Sequence, residues 1–211
     1  MNILSHRGLW KEPHNQNQLS SFATSQVEGF GTETDLRSYS GELYLSHDPI
    51  GSPSGKLKFE DLLTLWVKRP ELPLFLNIKE DGLLPFLKPY QPLLEKLRVV
   101  FFDMSVPQLV QFSKVFPREM LATRFSEYER EPSAQDLCNW LWVDSFNSDP
   151  ELDVLRPFVS EKKMSLAIVS PDLHGRDPKP IWRRLRTERA FPNDSLYLCT
   201  DAPHEFSKES V

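Results

Sequence analysis

Short apolar runs alternate with longer stretches of helical periodicity along the whole chain, and this alternation constrains the fold more than any other feature. Ile3–Ser5, Thr32–Leu36, Leu74–Ile78, Val99–Phe102, Met120–Thr123, Leu141–Val143, Leu166–Val169 and Leu196–Cys199 read as strands. A further short strand is expected at Leu43–Ser46, after a Ser40-Gly41 turn. Helices are expected over Asn17–Gly29, with Leu19, Phe22, Ala23 and Val27 on one face, and over Phe59–Val67, Leu83–Leu97, Pro107–Val115, Leu152–Lys162 and Pro180–Arg189. Strand and helix repeated in this way call for a parallel sheet covered by helices, either open and doubly wound or closed into a barrel.

The strand ends favour the barrel. His6-Arg7, Glu33 and Asp35, Asn77 and Lys79, Asp103, Arg124, Asp144, Ser170 and Thr200-Asp201 all sit where a strand finishes. In a closed barrel those ends meet at one mouth, whereas in an open sheet they spread along an edge. No Gly-x-Gly-x-x-Gly follows the first strand, which disfavours a dinucleotide site. The expectation is an α/β fold, a (β/α)8 TIM-type barrel, in one domain spanning 1–211. With 211 residues the chain is near the short end for that architecture.

Composition narrows the partners. The net charge is −5 with no long run of one sign, so there is no basic stripe for nucleic acid. An anionic substrate must then be met by local cations or a metal. The opening Met-Asn-Ile-Leu-Ser-His-Arg lacks the basic and apolar regions of a signal peptide, and no apolar run approaches membrane-spanning length. Cys138 and Cys199 lie apart in apolar stretches and read as reduced core thiols. A cytoplasmic protein acting on a small molecule is expected.

Three pieces carry chemistry. His6-Arg7-Gly8 ends the first strand. Glu33 and Asp35, two apart on a strand, point to the same side. Two buried carboxylates side by side repel, and a divalent cation such as Mg²⁺ or Ca²⁺ relieves that repulsion with the oxygen ligands it prefers. His47, in Ser46-His47-Asp48-Pro49, follows the short strand. Two imidazoles beside a carboxylate-bound metal suit phosphodiester cleavage, one taking a proton and the other giving one. Arg7 would offset phosphoryl charge. Taken singly, His6 reads equally well as a structural histidine, the acidic pair as a solvated strand face, and His47-Asp48 as a turn.

In order, these pieces resemble the glycerophosphodiester phosphodiesterase family, related to phosphatidylinositol-specific phospholipase C. The matching residues are His6-Arg7-Gly8, Asn17, Phe22, Gly29, Glu33-Thr34-Asp35-Leu36, Leu43 to Asp48, Leu76-Asn77-Ile78-Lys79 and Thr200-Asp201-Ala202-Pro203. The resemblance implies a (β/α)8 barrel with His6 and His47 as acid/base catalysts. Glu33 and Asp35 would be metal ligands, and Arg7 and Lys79 phosphate contacts. A hydroxyl beside the phosphate would attack phosphorus, and water would open the cyclic product. Where the family carries a third metal carboxylate, this chain has Asn77, whose amide oxygen can coordinate but brings no charge. Glu80, Asp103 or Asp144 could supply that charge. A pocket enriched in Trp10, Tyr44 and Phe102 could equally hold a larger alcohol or a sugar phosphate, and Ser170–Asp177, with His174 and Arg176, reads either as a polar loop or as a substrate-recognition loop over the mouth. Arg124 and Glu127 stay unassigned. Two other readings use the same scaffold: a barrel that binds a phosphorylated ligand without turnover, and a lyase that releases the cyclic phosphate.

Overall fold

The computed structural model describes residues 1–188 and 191–208. Eight of its strands are parallel: β1 (Asn2–His6), β2 (Gly31–Tyr39), β5 (Leu74–Ile78), β6 (Val99–Phe102), β7 (Ala122–Phe125), β8 (Trp140–Val143), β9 (Ser165–Val169) and β10 (Leu196–Thr200). They pair in that order, and β10 returns to β1 with Ile3 opposite Leu198. Between β6 and β7 the ladder shrinks to one parallel bridge, Phe101 to Leu121. The ring is a TIM-type barrel, drawn thin at that seam.

Burial on both faces explains the strand sequences. β5 reads Leu-Phe-Leu-Asn-Ile, and all five residues are buried. Leu74, Leu76 and Ile78 join the outer core under the helices, while Phe75 joins the core inside the barrel. The inner core also holds Leu4, Phe102, Ala122, Trp142, Tyr197 and Cys199. A parallel sheet covered on both sides needs such continuous apolar runs. Side chains alternate with a period of two, so the next inward position above an inner-core residue emerges at the mouth. Above Leu4 stands His6, and above Phe75 stands Asn77. Arg124 follows Ala122, Asp144 follows Trp142, and Asp201 follows Cys199. The sheet period therefore delivers the polar set to one end.

β2 outlasts the barrel and continues into an antiparallel hairpin with β3 (Glu42–Leu45), which pairs in turn with β4 (Leu57–Lys58). Ser40 and Gly41 turn the chain at φ 50° and 85°, the left-handed pair that a two-residue hairpin requires. This arm carries His47.

Helices α1 (Leu19–Val27), α2 (Phe59–Trp66), α3 (Leu84–Leu87), α4 (Gln91–Leu94), α5 (Val106–Phe112), α6 (Leu152–Ser160), α7 (Lys179–Thr187) and α8 (Pro203–Lys208) cover the outside. Three sequence expectations need correction. Of the α1 face predicted from Leu19, Phe22, Ala23 and Val27, Leu19 and Val27 are turned to water, with Val27 81% exposed. Phe22 of that predicted face is buried as expected, and Ser21, Ser25 and Gln26 are buried beside it in place of Leu19 and Val27. Small side chains allow close approach there: Ser25 Oγ lies 2.7 Å from Ser5 Oγ, and a Cβ on Gly8 would come within 2.5 Å of Ser21 Oγ. The helix expected over Leu83–Leu97 is broken into α3, a 3₁₀ turn and α4, with Pro85, Pro89 and Pro92 each opening one piece. Proline fits a first turn but not a helix interior. The expected Met120–Thr123 strand is displaced to Ala122–Phe125, because Arg118–Met120 forms a 3₁₀ turn. Of the helix expected to end at Arg189, that residue lies outside the described residues. Among the described residues, no helix is long and apolar enough to cross a membrane. Cys138 and Cys199 are buried and unpaired.

Candidate active site

One cavity of about 380 Å³ opens at the C-terminal end of the barrel. His6, Arg7, Glu33, Asp35, His47, Asn77 and Lys79, the residues singled out in the sequence, all line it.

The turn after β1 sets the first of these. Arg7 and Gly8 take φ of 55° and 88°, and their amides bond to Glu33 O and Thr32 Oγ1. This ties the His-Arg-Gly turn to β2. Glu33 lies in register with His6, and Asp35 with Asn77. Both carboxylates are almost completely buried. Asp35 Oδ2 faces Arg7 Nε at 2.9 Å, and Asp35 Oδ1 faces Lys79 Nζ at 3.7 Å. Asn17 clamps this group, since its Nδ2 donates to Asp35 Oδ2 and its Oδ1 accepts from Thr34 Oγ1.

Glu33 has weaker support. Burial, then the nearby Asp35 charge, push its pKa up to about 7 against the partial help of His6, Arg7 and Lys79. Three buried oxygens, Glu33 Oε2, Asp35 Oδ1 and Asn77 Oδ1, have no hydrogen-bond partner among the described residues. Buried acceptors are rarely left so. Three such oxygens on adjacent strands of one cavity fit a hard divalent cation. The charged part of that set is two carboxylates: among the described residues, no group of three or more His, Cys, Asp or Glu is arranged to hold a metal.

The carboxylates proposed as substitutes for a third charge are engaged elsewhere. Glu80 accepts from Arg37 Nη1, Ser38 N and Ser38 Oγ, away from the cavity. Asp103 and Asp144 do line the cavity, but Asp103 is bonded to Arg124 and Asp144 to His174.

His6 is held by a residue whose role the sequence did not reveal. Its Nδ1 lies 2.7 Å from Asp201 Oδ1, and its Nε2 lies 3.8 Å from Glu33 Oε2. Burial opposes the charged ring, but the Asp201 hydrogen bond and the Glu33 charge outweigh it, so the His6 pKa is raised. Trp10 Nε1 also donates to His6 O, fixing the backbone. His47 stands at the rim, with its side chain 48% exposed and Nδ1 2.8 Å from Asp48 Oδ1. Arg37 Nε donates to His47 O and so braces the arm.

The aromatic expectation fails. Trp10 lines a separate surface pocket, Tyr44 is buried on β3 with its hydroxyl on Glu42, and Phe102 lies inside the barrel stacked on Trp142. Phe125, Trp142 and Phe146 line the cavity instead. Of the loop over the mouth, Leu173 and His174 reach the cavity. Arg176 turns away to Ser145 O and Asp149. Glu127 also lies outside, accepting from the amides of Phe146 and Asn147.

No family model matches the chain, and no curated protein matches its sequence. Solved structures do match in shape. A glycerophosphodiester phosphodiesterase from Parabacteroides distasonis ATCC 8503 aligns with TM-score 0.66 at 17% identity, over 98% of this chain and 95% of that one. A glycerophosphoryl diester phosphodiesterase from the same organism gives 0.70 at 14%, over 98% and 85%. A glycerophosphodiester phosphodiesterase from Agrobacterium tumefaciens str. C58 gives 0.65 at 14%, over 98% and 99%. The chain has the fold of these proteins nearly from end to end.

Proposed function

We propose that the cavity hydrolyses a small phosphodiester of the glycerophosphodiester kind, with Mg²⁺ or Ca²⁺ held by Glu33, Asp35 and Asn77. The observation that carries this reading is the trio of buried oxygens on those residues that accept no hydrogen bond from the described residues, beside two histidines and two cations in one cavity. The named activity of the proteins that share this fold supports it.

A bound divalent ion supplies charge neutralisation at a phosphoryl oxygen. The chain's own groups do the rest. Arg7 and Lys79, both drawn toward Asp35, face the phosphate and offset its remaining charge. Asp201 keeps the Nδ1 proton of His6 in place, which leaves Nε2 as the basic atom. His6 takes the proton of a hydroxyl next to the phosphate. The hydroxyl oxygen bonds to phosphorus, the bond to the leaving alcohol breaks, and His47 gives that alcohol its proton. Water then adds to the cyclic phosphate by the same exchange in reverse, leaving a phosphomonoester.

The test is ³¹P NMR of a glycerophosphodiester incubated with the Mg²⁺- or Ca²⁺-loaded protein. A phosphomonoester is expected, with the rate abolished by chelation. His6→Ala and His47→Ala should each lower kcat by roughly 10²–10⁴-fold. A cyclic phosphate that accumulates unopened would mark a lyase. Binding without any turnover would mark a ligand-binding barrel.

A further inference from the structure

At its C-terminal end β10 runs out of the sheet. Its ladder to β9 ends with Cys199 opposite Val169, and its ladder to β1 ends with Thr200 opposite Ser5. The next two amides, of Asp201 and Ala202, need acceptors that no strand supplies. One side chain provides for both. Asp172 Oδ2 accepts from Asp201 N at 2.9 Å and from Thr200 Oγ1 at 2.7 Å. Thr200 Oγ1 accepts in turn from Ala202 N at 3.0 Å.

Asp172 stands on a fixed support. It lies in the 3₁₀ turn Pro171–His174, which Pro171 opens and Gly175 closes at φ 68°. Just before the turn, Ser170 N donates to Cys199 O at 2.9 Å. Ser170 Oγ accepts from Nε1 of the buried Trp182 of α7, also at 2.9 Å. The turn is thereby fastened to β10 on one side and to α7 on the other. Leu173 and His174 of the same turn line the cavity.

The consequence falls on His6. The Asp201 side chain is 31% exposed, so water can compete for its carboxylate. Its 2.7 Å contact with His6 Nδ1 therefore depends on where the Asp201 backbone is held. We infer that Asp172 is the positioning residue behind His6: it pins the backbone of Asp201, whose carboxylate then fixes which imidazole nitrogen carries the proton. The inference rests on the phosphodiesterase reading for the task of His6 and adds a residue on which that task depends. A carboxylate that merely stapled two loops together would act the same whatever Asp201 did. In the relay, the effect of Asp172 passes through Asp201.

The experiment removes the two links separately and together, in the Mg²⁺-loaded protein with a glycerophosphodiester as substrate. We expect Asp172→Ala to lower kcat by about 10–100-fold, the usual effect of losing an outer orienting partner, with KM unchanged. Asp172→Asn keeps an acceptor oxygen and should recover most of that loss. In an Asp201→Ala background, Asp172→Ala should cost nothing further, because the two act as one unit. The tautomer of His6 is read in parallel from the ¹⁵N shifts of its ring nitrogens, without substrate and at alkaline pH, where the imidazole is neutral. Wild type should carry the proton on Nδ1, and Asp172→Ala should show mixed tautomers. Thr200→Val is nearly isosteric, removes one bond to Asp172 and should move the tautomer the same way. It serves as the second variant if Asp172→Ala folds poorly. If wild type cleaves nothing but the variants move the tautomer, the relay stands and the hydrolase reading falls. A tautomer unmoved in both variants, or an Asp172→Ala loss of equal size with and without Asp201, overturns the relay.

Discussion

Asp201 Oδ1 lies 2.7 Å from His6 Nδ1, although 195 residues separate them in the chain. β1 and β10 are neighbours in the barrel, with Ser5 opposite Thr200, so the last residue of β1 meets the residue after β10 at the mouth. A carboxylate on one imidazole nitrogen fixes which nitrogen is basic and stabilises the ring once protonated.

That contact predicts a pH effect. The His6 pKa is raised, with Asp201 among the causes. If His6 is the base it must be neutral to act, so the acidic limb of kcat/KM should lie above the ordinary histidine value of 6.5. Asp201→Asn removes the negative partner, so the limb should move to lower pH while kcat falls by about 10²-fold or more. An unchanged limb with full kcat would remove His6 from the base role.

Glu33 predicts how stability depends on pH without metal. Its folded pKa is pushed up to about 7 from 4.5, mainly by burial and then by the Asp35 charge. The folded state therefore binds a proton that the unfolded state releases between those values, and stability falls as pH rises through that window. The chelated protein should lose melting temperature from about pH 5 to pH 7.5. Glu33→Gln should flatten this slope, and Mg²⁺ or Ca²⁺ should restore the loss at pH 7.5. A metal-free melting temperature that rises steadily over that range would contradict the environment described for Glu33.

Gly8 predicts a steric effect on the site. Its φ is 88°, and an added Cβ would stand 2.5 Å from Ser21 Oγ and 2.9 Å from the Ser21 carbonyl carbon. Backbone cannot yield as a side-chain tip can. Gly8→Ala should cost roughly 1–3 kcal/mol, read from denaturant midpoints. It should also weaken metal binding, because the same turn anchors Arg7 N to Glu33 O. A midpoint equal to wild type would show that α1 can shift without penalty.

Much of this was legible in the sequence because one rule, the strand period of two, acts over short distances. It places Glu33 with Asp35 and sets Asn77 two before Lys79. What stayed hidden depends on contacts between distant segments. Asp201 was visible as a strand-end residue, but only barrel closure joins it to His6. Arg37 and Ser38 capture Glu80, and Arg124 captures Asp103, so charges that seemed available for a metal were already spent. The helical period put Leu19 and Val27 of α1 on the buried face, because it reads hydrophobicity. The contact is in fact made by Phe22 together with Ser21 and Ser25, whose small size permits close approach beside Gly8. The aromatic lining was misjudged for a similar reason. Phe102 lies in the inner core, two residues after Val100 on the same inward strand face, and the cavity begins one residue later at Asp103.

Asn77 gives the sharpest test of the metal site. Its Oδ1 is buried without a hydrogen-bond partner among the described residues, and its strand neighbour in register is Asp35. Asn77→Asp keeps the size and adds a third charge. Without metal, three carboxylates then crowd one buried site, and the variant should melt below wild type at pH 7.5. With a divalent cation that repulsion becomes attraction, so calorimetry should show a lower Kd for Mg²⁺ or Ca²⁺ and a larger metal-induced rise in melting temperature. The rival arrangement uses Asp103 or Asp144 as the third ligand after release from Arg124 or His174. Under it, Asn77→Asp leaves Kd unchanged or raises it, and Asp103→Asn or Asp144→Asn abolishes binding. Tighter binding in Asn77→Asp, with Asp103→Asn and Asp144→Asn near wild type, places the cation on the β2–β5 wall. The reverse pattern moves it across the barrel mouth.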